Sequence, residues 1–164
     1  GFPGITIFAS GNLDEFRLRD LARAPIDGFG VGTRVNTSAD APYLDCGYKL
    51  QEYEGVPRRK RSAAKATWPG RKQVYRRYAA DGQWQGDVVT LADEPADGTP
   101  LLEPVLRAGR LAAPLPSLEQ ARGRLQQQLH ALPDPLRSID QVAAPKPAIA
   151  ASLVRLAAAI DART

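Results

Sequence analysis

Ile5-Thr6-Ile7-Phe8-Ala9-Ser10-Gly11-Asn12 and, about twenty residues on, Asp27-Gly28-Phe29-Gly30-Val31-Gly32-Thr33 are the stretches that decide the fold. Each reads as a buried β-strand that ends in a turn of small residues. Between them Leu13, Phe16, Leu18 and Leu21 recur at roughly helical spacing, so the unit is predicted to run strand, helix, strand. Asn12 or Asp14 is positioned to cap that helix, because a side-chain oxygen can accept from the unpaired first-turn N–H groups. Parallel strands joined by a helix belong to an α/β sheet or barrel, and the sites of such folds lie at the C-terminal strand ends. Ser10, Gly11, Asn12, Gly30, Gly32 and Thr33 all fall at that edge. Small residues there let backbone amides approach an anion closely, and a helix N-terminus adds favourable dipole charge. The pair reads as a phosphate cradle; the alternative is two tight turns chosen for backbone geometry alone.

The composition narrows the chemistry. The 164 residues contain one cysteine and one histidine. An internal disulfide is impossible, and a Cys- or His-rich metal site is not expected. Cys46 reads as an ordinary half-buried small residue and His130 as a cation at a helix C-terminus. No apolar run approaches the roughly 20 residues that span a bilayer, and the first residues lack the pattern of a signal peptide, so the expected address is cytoplasmic. Methionine is absent, even at position 1, and the first strand begins within the first few residues. Both observations suggest the C-terminal piece of a longer chain.

Three segments are expected. Residues 1–42 hold the strand–helix–strand unit and a polar loop, in which Arg34 and Ser38 lie close enough in sequence to reach the same cleft. Residues 43–100 are β-rich and basic. A strand is expected over Leu44–Tyr53, broken by Gly55-Val56-Pro57. Arg58, Arg59, Lys60, Arg61, Lys65, Arg71, Lys72, Arg76 and Arg77 follow with no acid among them; they outnumber the net charge of +4, so the remainder is acidic on balance. Trp68, Tyr75 and Tyr78 interleave with these cations. Three readings stay open: a nucleic-acid surface, a solvated hairpin with snorkelling stems, or a wall of the phosphate cleft that attracts a polyanion through Lys65 and Arg71. Gln73–Tyr78 and Asp87–Leu91 read as strands around a turn carrying Asp81-Gly82, and Asp93 and Glu94 as solvated carboxylates in a loop.

Residues 101–164 are expected to be mainly helical and to pack on the rest of the protein. Leu101, Leu102, Val105 and Leu106 form a short apolar stretch. Ser117 and Gln120 make a capping box for a helix whose apolar face carries Leu118, Ala121, Leu125, Leu129 and Leu132, with Pro133 as its stop. Ile149, Leu153, Leu156 and Ile160 mark a final amphipathic helix.

Taken together, Ile7–Glu15, Ala24–Thr33, Tyr48-Lys49-Leu50 and Lys65–Lys72, with a weaker echo from Gly98 to Pro133, make the chain resemble the C-terminal portion of nicotinate phosphoribosyltransferases. The resemblance implies the last strands of an irregular, TIM-like α/β barrel, an appended antiparallel β piece and C-terminal helices. It implies an enzyme that joins nicotinate to phosphoribosyl pyrophosphate, with ATP and Mg²⁺, to give nicotinate mononucleotide for NAD salvage, as a homodimer. On that footing Ser10, Gly11, Asn12, Gly30, Gly32 and Thr33 hold the ribose 5-phosphate. The family's phosphate-accepting histidine and nicotinate-facing basic residues have no counterpart here, so no catalytic or metal-binding residue is assigned, and the piece alone is expected to be inactive without the N-terminal part. The competing expectation is a non-catalytic basic module that binds nucleic acid or another polyanion.

Overall fold

The structure, a computed structural model, describes residues 2–38, 41–43, 47–140, 142–143 and 145–163. It divides into two compact units, Gly1–Gly47 and Tyr48–Thr164. Among the described residues it is a mixed α/β protein of small sheets and five helices, and none of the helices is long and apolar enough to cross a membrane. Cys46, Asp40 and Leu44 lie outside the described residues.

The first unit runs β1 (Phe8–Ser10), α1 (Glu15–Leu21), β2 (Gly28–Gly30) and α2 (Thr33–Asn36). β1 and β2 pair in parallel, with Phe8 opposite Gly28, Ala9 opposite Phe29 and Ser10 opposite Gly30. Asp14, not Asn12, caps α1, its carboxylate accepting from the Arg17 N–H at 2.9 Å. Asp27 brackets Ile7: its N–H donates to the Ile7 carbonyl at 2.9 Å, and its carboxylate accepts from the Ile7 N–H at 2.7 Å. The expected strand–helix–strand order is therefore present. The expected burial is not, since Ile5, Ile7, Phe8 and Val31 are exposed, Phe8 by 73%. A two-stranded sheet with one seven-residue helix can shield little of its apolar surface, and here the shielded residue is Leu13. The two strands close no barrel.

The second unit begins with a small hairpin, β3 (Glu52–Tyr53) and β4 (Val56–Pro57). Gly55-Val56-Pro57 thus makes the hairpin's turn and return strand instead of merely ending a strand. The main hairpin is β5 (Lys72–Tyr78) and β6 (Trp84–Leu91), antiparallel from Lys72 opposite Leu91 to Tyr78 opposite Trp84. Its turn is closed by the Ala79 N–H on the Gln83 carbonyl at 2.8 Å, with Gly82 at φ +82°. β7 (Thr99–Pro100) adds to the β5 edge. Gly98 is required there: at φ +121° a Cβ would lie 2.5 Å from the Arg76 carbonyl oxygen. A further hairpin, β8 (Leu106–Arg107) and β9 (Arg110–Leu111), begins at the end of the short apolar stretch and turns through Ala108-Gly109.

α3 (Leu118–Ala131) carries the expected capping box, with Ser117 and Gln120 bonded reciprocally at 2.8 and 3.2 Å. Its apolar face is open, however, and Leu118 is 89% exposed. α4 (Asp134–Arg137) is a single turn, followed by β10 (Ala148–Ile149) and α5 (Ala151–Asp161). β10 pairs in parallel with the free edge of β6, giving the sheet order β10-β6-β5-β7. α5 then buries Leu153 and Ala157, and Thr90 and Pro69 are also fully enclosed. Glu94 is half-buried and accepts from the Ser152 hydroxyl, so it is not the solvated carboxylate expected from the sequence. Deleting the Leu153 side chain in Leu153→Ala is expected to destabilise this unit by about 3 kcal/mol, read from the urea midpoint at unchanged m-value.

Candidate functional site

The register of β1 and β2 sets the two small-residue turns side by side. Ser10 and Gly30 are direct partners, and a Cβ on Gly30 would lie 3.0 Å from the Ser10 Cβ. Beyond Ser10 the backbone reverses through Gly11 at φ +123° and Asn12 at φ +49°, which favours residues that tolerate positive φ. Beyond Gly30, Gly32 stands at the N-cap of α2 and Thr33 is that helix's first residue. Hypothetical Cβ atoms on Gly11 and Gly32 meet nothing within 4 Å, so both glycines border open space.

One charged contact ties the two turns together. Arg34 Nη1 lies 3.6 Å from Asp14 Oδ2, joining the start of α2 to the cap of α1. The carboxylate is largely enclosed while the guanidinium remains half-exposed, so the arginine is held at the cradle's rim with donors still facing solvent. Sequence reasoning named Arg34 and Asp14 separately but not as a pair. Ser38 lies beyond the C-terminal end of α2, away from Thr33, at φ +48°.

Lys65 and Arg71 belong to the second unit, where much of the basic segment is engaged internally. Arg76 forms a two-pronged pair with Asp87, 2.9 Å at both Nε and Nη2, and Trp84 Nε1 donates to the same carboxylate at 3.0 Å. Arg59 and Arg61 both face Asp161, at 3.2 and 4.0 Å. Lys72 Nζ donates to the carbonyls of Trp68, at 2.8 Å, and of Gly70. Burial pushes the Lys72 ammonium below its ordinary value, an effect the nearby Glu52 charge opposes. Lys65 is exposed beside Ala64 at φ +59°. Arg71 donates its backbone N–H to Glu52 at 3.2 Å and helps line a cleft of about 400 Å³ with Glu52, Asp93, Leu91 and Leu156. His130 sits in the last turn of α3 with Nδ1 on the Gln126 carbonyl at 2.7 Å. Among the described residues no three His, Cys, Asp or Glu side chains come together as metal ligands.

No family model matches the sequence. Individual relatives do. A nicotinate phosphoribosyltransferase of Mycobacterium tuberculosis is 46% identical over 143 residues, which cover 85% of this chain and 31% of that protein. The nicotinate phosphoribosyltransferase of Bos taurus is 33% identical, with coverage of 97% and 35%. The crystal structure of human nicotinic acid phosphoribosyltransferase superimposes with a TM-score of 0.76 at 27% identity, covering 95% of this chain and 33% of that one. The chain thus spans about a third of the length of the relatives it matches.

The Arg76–Asp87–Trp84 cluster carries a pH signature. The Arg76 hydrogen bonds hold the Asp87 carboxyl below its ordinary value of 3.8, with burial opposing them. A carboxylate whose folded pKa is depressed stabilises above its unfolded pKa and loses that contribution as pH falls through the folded one. Asp87→Asn is therefore expected to cost about 2 kcal/mol at pH 7, with the gap to the unmodified protein closing below about pH 4 in paired urea titrations.

Proposed function

Because the chain belongs to the nicotinate phosphoribosyltransferase family, we propose that it is the part of such an enzyme that holds the ribose 5-phosphate, with the paired ends of β1 and β2 as the cradle. The observation that carries this reading is the Ser10–Gly30 register, which brings two small-residue turns to one edge of one parallel sheet. In this reading the phosphate lies against the backbone of Ser10, Gly11 and Asn12 on one side and of Gly30, Gly32 and Thr33 on the other. Arg34, tethered by Asp14, supplies a positive charge at the rim.

The reaction proposed for the whole enzyme joins nicotinate to phosphoribosyl pyrophosphate, coupled to ATP hydrolysis, and yields nicotinate mononucleotide in NAD salvage. As pyrophosphate leaves, positive character builds at the anomeric carbon, and the barrier falls when the leaving charge is neutralised and the sugar is held for in-line attack by the pyridine nitrogen. The cradle's share is orientation: a 5-phosphate fixed at one point removes most of the ribose's rotational freedom. Mg²⁺ would neutralise the pyrophosphate charge. Mg²⁺ and ATP enter this reading as cofactors of the whole enzyme, with no ligand assigned. The same reading includes the closing strands of a barrel completed by an N-terminal part, a homodimer, and action in the cytoplasm. Lys65 and Arg71, in the second unit, enter it as cations that attract a polyanionic substrate.

Gly32 is the cleanest probe. Gly11, at φ +123°, would strain any replacement, whereas Gly32 has a negative φ of −150° and open space beyond its Cα. Gly32→Val is expected to weaken nicotinate mononucleotide binding by about tenfold or more, some 1.4 kcal/mol, without lowering the melting temperature. Fluorescence titration of the native protein reads this directly. Unchanged mononucleotide affinity in Gly32→Val, or tight binding of single-stranded DNA lost with Arg71 and Lys72, would overturn the reading.

A further inference from the structure

The loop of residues 58–71, between β4 and β5, carries most of the basic segment. It closes on itself at Lys60 and Thr67: the Thr67 N–H donates to the Lys60 carbonyl and the Lys60 N–H to the Thr67 hydroxyl, both at 3.0 Å. Those bonds set the loop's shape but not its seat. Arg59 contributes the seat. Its guanidinium carbon lies 5.9 Å from the centre of the Trp68 ring, and its Nη1 lies 3.2 Å from Asp161 Oδ2. The side chain is 15% exposed, and its Nε is buried without a partner. Ring and carboxylate are thus the contacts that hold this arginine in place.

Asp161 is the last residue of α5 and stands 102 residues from Arg59. A helix C-terminus is the wrong end for an acid, because the macrodipole there is negative. Two guanidinium groups meet it instead, with Arg61 Nε at 4.0 Å from its other oxygen. At the loop's other end Gly70 is wedged between the sheet and the helix: at φ +76° a Cβ would lie 3.4 Å from Leu91 Cδ2 and 3.5 Å from Leu156 Cδ2. The loop is therefore docked on α5 by charge at one point and by packing at another.

We propose that Asp161 is a positioning residue of the enzyme: acting through Arg59, it fixes the cationic loop in the conformation that attracts a polyanionic substrate. A loop already held in one conformation loses less entropy when it meets its ligand, so the docking shows as affinity. This rests on the reading of the loop, through Lys65 and Arg71, as an attractor of polyanions.

Asp161→Asn keeps the shape and removes the charge, and Arg59→Lys keeps the charge and removes the planar fork and its stacking. In the intact native protein both are expected to speed tryptic cleavage within residues 58–65 by about fivefold or more. Both should raise KM for phosphoribosyl pyrophosphate by a similar factor, with kcat held within about twofold. Cleavage no faster than in the unmodified protein would overturn the proposal. So would faster cleavage at every site, Arg110 and Arg124 included, because Asp161 would then support the fold as a whole. Faster loop cleavage with unchanged KM would overturn the positioning role, and a Lys65→Gln variant that also leaves KM unchanged would overturn the reading of the loop itself. The phosphate cradle is read separately by Gly32→Val, so its failure and the failure of this proposal are distinguishable.

Discussion

The antiparallel ladder of β5 and β6 is the interaction on which the larger unit depends. It runs from Lys72 opposite Leu91 to Tyr78 opposite Trp84, with a register shift at Arg77/Tyr78, and pairs the backbone groups that the two strands turn toward each other. Its two outer edges are then taken by short pieces from elsewhere in the chain, Thr99–Pro100 beside β5 and Ala148–Ile149 beside β6. The second of these additions matters more, because the Ala150 N–H on the Val89 carbonyl at 3.0 Å delivers the chain straight into α5. That delivery places Leu153 and Ala157 in the core and carries Asp161 to the basic loop. Without the ladder neither the helix nor the loop has a surface to dock on.

The smaller unit repeats the logic with less material. Three parallel residue pairs and the doubled bond between Asp27 and Ile7 fix one strand against the other. Because hydrophobic cover is slight, precision at the strand ends comes from backbone bonds and from the Asp14–Arg34 contact. Such an edge suits a ligand recognised through backbone amides, since main-chain groups in paired strands have little freedom to move.

The basic segment shows how a charge run can mislead. As sequence, Arg58 to Arg77 is an unbroken cationic stretch. In the fold Arg59 and Arg61 meet an acid 100 or more residues away, Arg76 is satisfied by Asp87 across the hairpin, and Lys72 staples two loop carbonyls. Partly buried cations need such partners, because desolvation opposes an unpaired charge. Lys65 stays exposed, and it is cations of this kind that give the unit its outward charge.

Local chemistry made much of this legible. The helical recurrence of Phe16, Leu18 and Leu21, the Ser117–Gln120 box, the Asp81-Gly82 turn and the spacing of Leu153 and Leu156 are patterns within a few residues, and each appears as read, whereas Leu13 lies just before the Asp14 cap instead of in the helix. The Ala108-Gly109 hairpin lacks the Asn-Gly or Asp-Gly signal, and its two-residue strands are too short to show a period. β10 carried no signal, because two residues show no period, and Ile149, expected at the start of the last helix from its spacing to Leu153, instead pairs with Val89 as a strand. The small-residue turns and their likeness to a known family were also written in the chain order. The tertiary structure decided which distant groups meet: Ser10 with Gly30, Asp14 with Arg34, Arg59 with Asp161. It also left the first strands and the apolar side of α3 open where the pattern promised burial. Sequence spacing specifies the face a residue occupies; what covers that face, or answers its charge, is set by segments whose separation along the chain carries no local signal.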